Sequence, residues 1–97
     1  MSKLSVSYKE SLHERLADPE YAAGYLDAAL EDGDPRVFLL ALRDVAEVHG
    51  IAKLASDAGL KRESTYRILS EQGNPELKSL NALLHTLGLR LAVAVAN

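Results

Sequence analysis

The sequence contains no cysteine, so it can form neither a disulfide framework nor a thiolate metal site. This absence fits a reducing compartment, and we expect a cytoplasmic protein. No N-terminal run combines a charged start, an apolar stretch and a cleavage site, so we expect no secretory signal. Apolar runs such as residues 91–96 are far too short to span a bilayer.

Residues that bind metals or carry catalysis occur without the partners they need. The three histidines are isolated, and none has a second histidine, a cysteine or a close carboxylate at metal-ligand spacing. They are His13, His49 and His85. No glycine-rich phosphate loop follows a strand, and no serine has a matching base. We therefore expect no metal, no cofactor and no enzyme activity.

The 97 residues are enough for one small domain with a single core. Their charge is distributed unevenly along the chain. The net charge is −3. Residues 1–50 carry 5 basic and 10 acidic side chains, a sum of −5, whereas residues 51–97 carry 6 and 4, a sum of +2. Because local charge decides whether phosphates are attracted, we expect a nucleic acid to bind the second half of the chain, residues 51–97.

Prolines and glycines divide the chain into helices. Each proline follows Asp or Asn, a pair typical of an N-cap and the first helical residue. The pairs are Asp18-Pro19, Asp34-Pro35 and Asn74-Pro75. Five glycines follow apolar segments and are predicted to end helices in the left-handed conformation. They are Gly33, Gly50, Gly59, Gly73 and Gly88.

Six segments have the apolar spacing of helices, so the fold class is predicted to be all-α. Residues 1–7 look like a loose end before the first helix. The apolar positions of successive helices are Tyr8, Leu12 and Leu16; Tyr21, Tyr25, Leu26, Ala29 and Leu30; Val37, Phe38, Ala41, Leu42, Val45 and Val48; Leu54, Ala55 and Ala58; Leu60, Thr65 and Ile68; and Leu77, Leu80, Leu83, Leu84 and Leu87. Gly24 interrupts the second helix at a cost of about 1 kcal/mol relative to alanine, and close packing is the one reason we find for it.

After Gly88 the apolar period changes from helical to alternating. The alternating positions are Leu89, Leu91, Val93 and Val95, and they predict a short β-strand over residues 89–95. A single strand has no ladder of its own, so it must pair with a second copy of the chain or with the sheet edge of a partner. We take these four residues as the candidate dimer contact. The alternative is an extended tail packed on the sixth helix.

Residues 51–69 have the spacing of a helix-turn-helix. Small Ala55 lies where a second helix can cross, Gly59 permits the positive φ of the turn, and Thr65 and Ile68 fall on the packing face. In such a motif the second helix can lie in the major groove of DNA. The segment therefore predicts DNA binding.

The outward residues of the second helix of this motif are of the types that read DNA. Arginine makes bidentate contacts with guanine, glutamate accepts a hydrogen bond from cytosine, and tyrosine reaches phosphate or a thymine methyl. The predicted base-contacting residues are Arg62, Glu63, Tyr66 and Arg67, with Ser64 at the margin. The predicted phosphate contacts are Lys53, Ser56 and Lys61, with Asn74 and Lys78 at the start of the sixth helix. The alternative is that all of these are ordinary solvated surface residues.

Three runs of the sequence resemble the HigA-like antidote proteins of addiction modules, a group with a lambda-repressor-like helix-turn-helix. The runs are YLDAALEDGDPRVFLLALRDVAEVHG at 25–50, LASDAGLKRESTYRILSEQGNP at 54–75 and LNALLHTLGLRL at 80–91. The resemblance covers about two-thirds of the chain. It implies a lambda-repressor-like five-helix domain with an N-terminal helix added, in which residues 61–67 carry the DNA contacts.

The resemblance also implies partners. Antitoxins of this kind bind a small basic toxin of the RelE/ParE superfamily, which acts on ribosome-bound mRNA or on gyrase, and they repress the promoter that both share. We therefore expect a homodimeric repressor that binds operator DNA. One departure concerns Lys61, where the family has a small polar residue that caps the recognition helix. Lysine has no acceptor for that hydrogen bond, so the cap is expected to be missing.

The acidic N-terminal segment is the candidate toxin contact, because a basic toxin would be attracted to it. We assign residues 1–24 to this segment and residues 25–97 to the DNA-binding domain. The apolar anchors would be Tyr8, Leu12, Leu16 and Tyr21. The alternative is that these residues complete the chain's own core. If the segment serves the toxin, deletion of residues 1–18 is expected to weaken toxin capture and spare DNA binding.

Two other functions fit the same sequence. One is a free-standing helix-turn-helix transcriptional repressor without a toxin partner. The other is a protein-interaction scaffold that has lost DNA binding, although the outward positions of Arg62 and Arg67 argue against it. Toxin capture separates the antitoxin from the free-standing repressor.

Overall fold

Six helices make up the computed structural model, which describes the backbone of residues 2–97 and the side chains of residues 8–97. In chain order they are α1 (Ser2–Leu16), α2 (Pro19–Glu31), α3 (Pro35–His49), α4 (Ile51–Ala58), α5 (Arg62–Ile68) and α6 (Leu77–Thr86). No β-strand occurs within residues 2–97, and the predicted all-α class is confirmed. None of the helices found in these residues has the length and apolar character that crossing a membrane requires.

The first helix begins earlier than the sequence indicates. α1 includes Ser2, so the prediction of a loose end is wrong for residues 2–7, and Met1 lies outside the described residues. Residues 2–7 contain neither proline nor glycine. Because extending a helix adds one hydrogen bond per residue fixed, such a run continues a helix that is already formed farther along.

Two of the three predicted helix starts are confirmed by their hydrogen bonds. The Asp18 carboxylate accepts from the amide of Glu20 at 3.0 Å, and the Asp34 carboxylate accepts from the amide of Arg36 at 2.9 Å. Each aspartate is the N-cap of its helix and is followed by proline in the first turn. These bonds satisfy amides that have no partner within the helix.

The third predicted start, at Asn74-Pro75, is wrong. α6 begins at Leu77, and its N-cap is Glu76, whose side chain makes no capping hydrogen bond. Residues 73–76 have no regular secondary structure. The chain after α5 makes a tight local turn, in which the amide of Gly73 donates to the Ser70 carbonyl oxygen at 2.9 Å and a Cβ atom at Gly73 would overlap the Ile68 carbonyl oxygen. Asn74 directly follows this turn and lies two residues before the N-cap of α6.

The core is centred on α3, which contributes six buried residues. α1 and α2 pack on α3, and α4 packs on α3, α5 and α6. Four leucines from four different parts of the chain are completely buried where these elements meet. They are Leu42, Leu54, Leu69 and Leu83. A single core therefore holds all the elements that position α5.

The N-terminal segment is part of this core. Leu16 and Ala22 are buried in the same cluster as the residues of α3. The division placed between residues 24 and 25 falls inside α2, which runs without interruption from Pro19 to Glu31. Residues 1–24 and 25–97 are thus not separate in structure, whatever partners they contact.

The C-terminal residues are irregular in the single chain. Residues 89–97 have no assigned strand, so the strand predicted over 89–95 is absent from the described residues. Leu89 and Leu91 are half-buried against the core, whereas Val93 is 100% and Val95 is 93% exposed. A strand needs a ladder partner, and one chain supplies none here. The alternative of an extended tail packed on the body describes its first half only.

Candidate nucleic-acid interface

A left-handed turn joins α4 to α5. Gly59 has φ 73° and ψ 27°, the conformation that its role in the turn predicted. The amide of Leu60 donates to the Ala55 carbonyl oxygen at 2.9 Å, a closure typical of a helix that ends on glycine. Leu54 and Ala55 are buried, so α4 packs its apolar side on the core and supports the helix that follows.

Thr65 fixes the start of α5 where a capping side chain is missing. Lys61 is the N-cap, and its side chain makes no capping hydrogen bond, as predicted. Thr65 is completely buried, and both its amide and its hydroxyl donate to the Lys61 carbonyl oxygen at 3.0 Å. Leu69, just after α5, is also completely buried. Two buried residues therefore set the orientation of this short helix.

The opposite side of α5 is open to solvent. Five side chains along it are exposed and one, that of Ser64, is half-buried. The exposed ones are Lys61, Arg62, Glu63, Tyr66 and Arg67. These are the side chains that the sequence places outward, so α5 presents three cations, one carboxylate and one phenol together.

Contacts within α5 order its two arginines. The guanidinium carbon of Arg62 lies 5.8 Å from the centre of the Tyr66 ring, within the range of a cation–π contact. Nη2 of Arg67 lies 3.5 Å from Oγ of Ser64. Both arginines keep most of their donors available, because these contacts use one group each.

Lys53 on α4 already has a protein partner. Its Nζ lies 3.1 Å from Oδ2 of Asp57, and Nε2 of His49 lies 3.2 Å from the same oxygen. The hydrogen bond from Lys53, followed by the one from His49, lowers the pKa of the Asp57 carboxyl below its usual range. Sequence reasoning missed Asp57, although its spacing of four residues from Lys53 is typical of a helical ion pair. Ser56 on the same helix is exposed.

The two residues expected near the start of α6 are exposed but differently placed. Lys78 lies in the first turn of α6, as predicted. Asn74 lies in the preceding loop, so its expected position at the helix N-terminus is wrong. Glu76 takes the N-cap instead, and its negative charge makes that helix end less favourable for a phosphate.

The four candidate toxin anchors range from exposed to buried. Tyr8 is 66% and Tyr21 is 40% exposed, so both rings are accessible. Leu12 is half-buried against the core. Leu16 is only 3% exposed, and its assignment as a toxin anchor is wrong because its side chain is used inside the chain's own core. Residues spaced four apart lie on one face of a helix, but the spacing does not tell whether that face is exposed or buried. Sequence alone therefore did not distinguish the exposed anchors from the buried one.

Tyr25 shows how the helices beneath this surface are joined. Its hydroxyl donates to Oδ2 of Asp44 at 2.6 Å, which links α2 to α3. Burial and then this hydrogen bond raise the pKa of the Tyr25 hydroxyl above its usual range.

Within the described part of the chain, no group of three or more His, Cys, Asp or Glu residues could hold a metal ion.

Comparison with known families decides to which group this helical domain belongs. A family model described as "Probable addiction module antidote protein" matches residues 8–95. The chain belongs to this family. The match includes the whole of α2 to α6, and therefore every residue of the antidote-family chain that we have placed at the candidate interface.

One relative is similar to the chain over most of the length of both proteins. An uncharacterized protein of Haemophilus influenzae is 32% identical to the antidote-family chain over 80 residues, which are 82% of this chain and 82% of the relative. No solved structure matches the chain. Membership of the antidote family implies a toxin partner in general terms and favours a regulatory role over an enzymatic one.

Proposed function

We propose that the chain is the antitoxin of a type II toxin–antitoxin module. In this proposal it neutralises a toxin of the RelE/ParE superfamily by direct binding, and it represses its own operon in the cytoplasm by binding operator DNA through α5. The observation that carries the DNA-binding half is the exposed face of α5, with Arg62, Tyr66 and Arg67 outward and Thr65 buried behind them. The antidote family supports the toxin-binding half.

The proposed DNA contacts follow from side-chain chemistry. Arg62 and Arg67 would read guanine, Glu63 would accept from cytosine, and Tyr66 would contact a phosphate or a thymine methyl. Ser64 would lie at the margin of these base contacts. Phosphate contacts would come from cationic and polar side chains on α4, on the turn and near α6. These are Lys53, Ser56, Lys61, Asn74 and Lys78. We assign α4 and α5 to a lambda-repressor-like helix-turn-helix of the HigA-like group.

The proposed toxin contact lies on the outer side of α1 and α2. Tyr8 and Tyr21 offer exposed rings there, and Leu12 is partly accessible between them in sequence. The first half of the chain carries a charge of −5, which favours a basic partner. The DNA face and the toxin face therefore use different helices.

We further propose that the chain acts as a homodimer. Repressors of this type place two recognition helices about 34 Å apart, so that they meet half-sites separated by one turn of DNA. Residues 89–95 are the proposed dimer contact, and Leu89, Leu91, Val93 and Val95 are its apolar residues.

Titration of duplex DNA tests the DNA-binding half. The region upstream of the chain's own operon and a scrambled duplex of equal composition are titrated with the parent chain, with Arg62→Ala and with Arg67→Ala. Each arginine that contacts a base is expected to be worth about 1–3 kcal/mol of preference for the operator. Arg15→Ala is the matched control, because it removes an exposed arginine from α1.

The outcomes of this titration are distinct. Loss of preference in both α5 variants, with Arg15→Ala equal to the parent, supports the proposal. If the parent binds both duplexes equally and without steep salt dependence, the chain is an interaction scaffold and the DNA-binding half is wrong.

Co-purification tests the toxin-binding half. The tagged chain is expressed with its neighbouring reading frames, and the mass of what elutes is measured. A stoichiometric small basic protein that is toxic when expressed alone supports the antitoxin. A homodimer without a companion, still selective for its operator, supports the free-standing repressor instead.

A further inference from the structure

A groove of about 600 Å³ runs between α2 and the tail, which we define as residues 88–97. Gly24 and Leu30 lie on the α2 side, and Arg90 and Ala92 lie on the tail side. Its floor is apolar and includes Phe38 and Leu84. Leu30 is 55% exposed, so an apolar side chain on the rim has nothing covering it.

Gly24 has no explanation within the chain. It lies in the middle of α2 and is exposed, and a Cβ atom at this position would meet nothing within 4 Å. The expectation that close packing inside the chain requires this glycine is therefore wrong. A glycine on a helix surface leaves the backbone open to close approach by another backbone. Its place on the groove indicates which surface that backbone would approach.

The tail supplies a backbone of the required kind. Among the described residues, no backbone–backbone hydrogen bond outside the helices involves residues 90–97. Leu89 and Leu91 pack on the chain's own core, whereas Val93 and Val95, on the same side of the alternating pattern, are exposed. The tail is thus an irregular segment whose amides and carbonyls from residue 90 onward make no backbone hydrogen bond in the single chain, and whose outer valines do not contact the core that the inner leucines contact.

The charges at the groove are self-complementary. Glu20 and Asp27 lie on the α2 side and Arg90 lies on the tail side. Within residues 8–97, none of these three forms a salt bridge. In a two-fold dimer each contact between the copies occurs twice, so a charged patch matches itself only if it carries both signs. In such a dimer, Arg90 of one copy would face the two carboxylates of the other.

From these observations we propose that two copies of the chain exchange tails. Residues 92–97 of one copy lie in the α2 groove of the other, where Val93 and Val95 cover the apolar floor and the tail backbone crosses Gly24. The occupant of the groove is therefore a second copy of this chain. This inference rests on the homodimer of the proposed function and names the surface that receives the tail.

A pair of glutamine substitutions on α2 tests the exchange. Gly24→Gln fills the point of close approach, whereas Ala28→Gln introduces the same side chain at an exposed position of α2 that does not line the groove. Sedimentation equilibrium of the full chain without DNA gives the dimer dissociation constant. We expect Gly24→Gln to raise it by about tenfold or more and Ala28→Gln to leave it within about twofold, as for contacts at the centre and outside of an interface. Circular dichroism confirms that both variants remain helical.

A change in the tail itself gives a second measurement. Val93→Asp combined with Val95→Asp alters two side chains that touch nothing in the single chain, so folding is preserved. The exchange predicts a loss of dimer as large as that from Gly24→Gln.

Three results would overturn the proposal. They are a parent chain that is monomeric at every concentration, a dimer that tolerates both sets of changes, and a Gly24→Gln chain that dimerises normally but no longer binds the toxin. Binding of a duplex with one half-site separates these failures from a failure of the DNA-binding proposal. A monomer that still binds the half-site through Arg62 and Arg67 leaves the function standing without the exchange.

Discussion

At the scale of single residues, two glycines differ in the space that surrounds them. Gly24 is inside a helix and meets no atom where a Cβ would be, so alanine fits there. At Gly73 a Cβ would overlap the Ile68 carbonyl oxygen at the end of α5. Gly73 does not have the positive φ of Gly59, so its requirement is space and not backbone conformation. The other four glycines have the positive φ that was predicted, although Gly50, with φ 96° and ψ 114°, is not in the left-handed helical conformation of Gly59; at Gly73 the prediction is wrong.

The same substitution at the two glycines is expected to have opposite effects. Gly24→Ala should raise the free energy of unfolding by about 0.5–1 kcal/mol, because alanine favours the helix. Gly73→Ala should lower it by about 1–3 kcal/mol, because the backbone of Ile68 or of the loop must move. Urea unfolding at a concentration where the chain is monomeric measures both. A Gly73→Ala chain as stable as the parent would contradict the close approach.

At the scale of elements, an Asp or Asn before proline caps a helix at one position of the chain and not at another. Asp18 and Asn74 both precede a proline, yet only Asp18 caps a helix. Asp34 also caps a helix, but its carboxylate contacts the Arg36 guanidinium as well, and that contact lowers the pKa of Asp34. Asp18 therefore isolates the effect of capping.

Alanine substitutions at Asp18 and Asn74 distinguish a residue that caps a helix from one that only precedes a proline. Asp18→Ala is expected to lower the free energy of unfolding by about 1 kcal/mol, because the amide of Glu20 loses its acceptor. Asn74→Ala is expected to change it by less than about 0.5 kcal/mol, as for an exposed residue outside such features. Thermal unfolding followed at 222 nm (the helical band) compares the two. Equal effects would show that Asn74 caps α6 after all.

At the scale of the whole molecule, the parts that sequence predicted are those decided by local pattern. Helical spacing located all six helices, and the inward position of Thr65 followed from the same spacing. The start of α6 was missed because Asn74-Pro75 has the same residue types as the two true starts, and the tight turn at Gly73 before it does not show in the apolar spacing. Burial of Leu16 depends on which helix packs above it, so the spacing could not assign it to the core or to a partner.

The burial of Leu16 changes what an N-terminal deletion is expected to do. Removing residues 1–18 takes α1 and a core residue away, so we expect the free energy of unfolding to fall by at least about 3 kcal/mol, as for loss of a buried leucine. DNA binding then falls with the fraction of chain that stays folded, so a loss of toxin capture by this truncation does not by itself locate the toxin contact. Denaturant unfolding of residues 19–97 measures this. Tyr8→Ala is the control that alters the exposed surface of α1 and keeps its core contact.

A deletion product that unfolds as cooperatively as the full chain, at the same urea concentration, would contradict this expectation. It would also show that residues 1–18 are dispensable for the fold and make the truncation a clean test of toxin capture.

The order in which the helices pack has a consequence for how fast the chain becomes active. The main contacts join each helix from α1 to α4 to the next one in the chain, or join α1 to α3 and α4 to α6 across a single intervening helix. Contacts between near neighbours in the chain have a low contact order, and helical domains of this kind fold in about milliseconds or less. A newly synthesised chain therefore needs no slow long-range search, and its helical domain folds almost as soon as it leaves the ribosome, ahead of the concentration-dependent assembly of the proposed dimer.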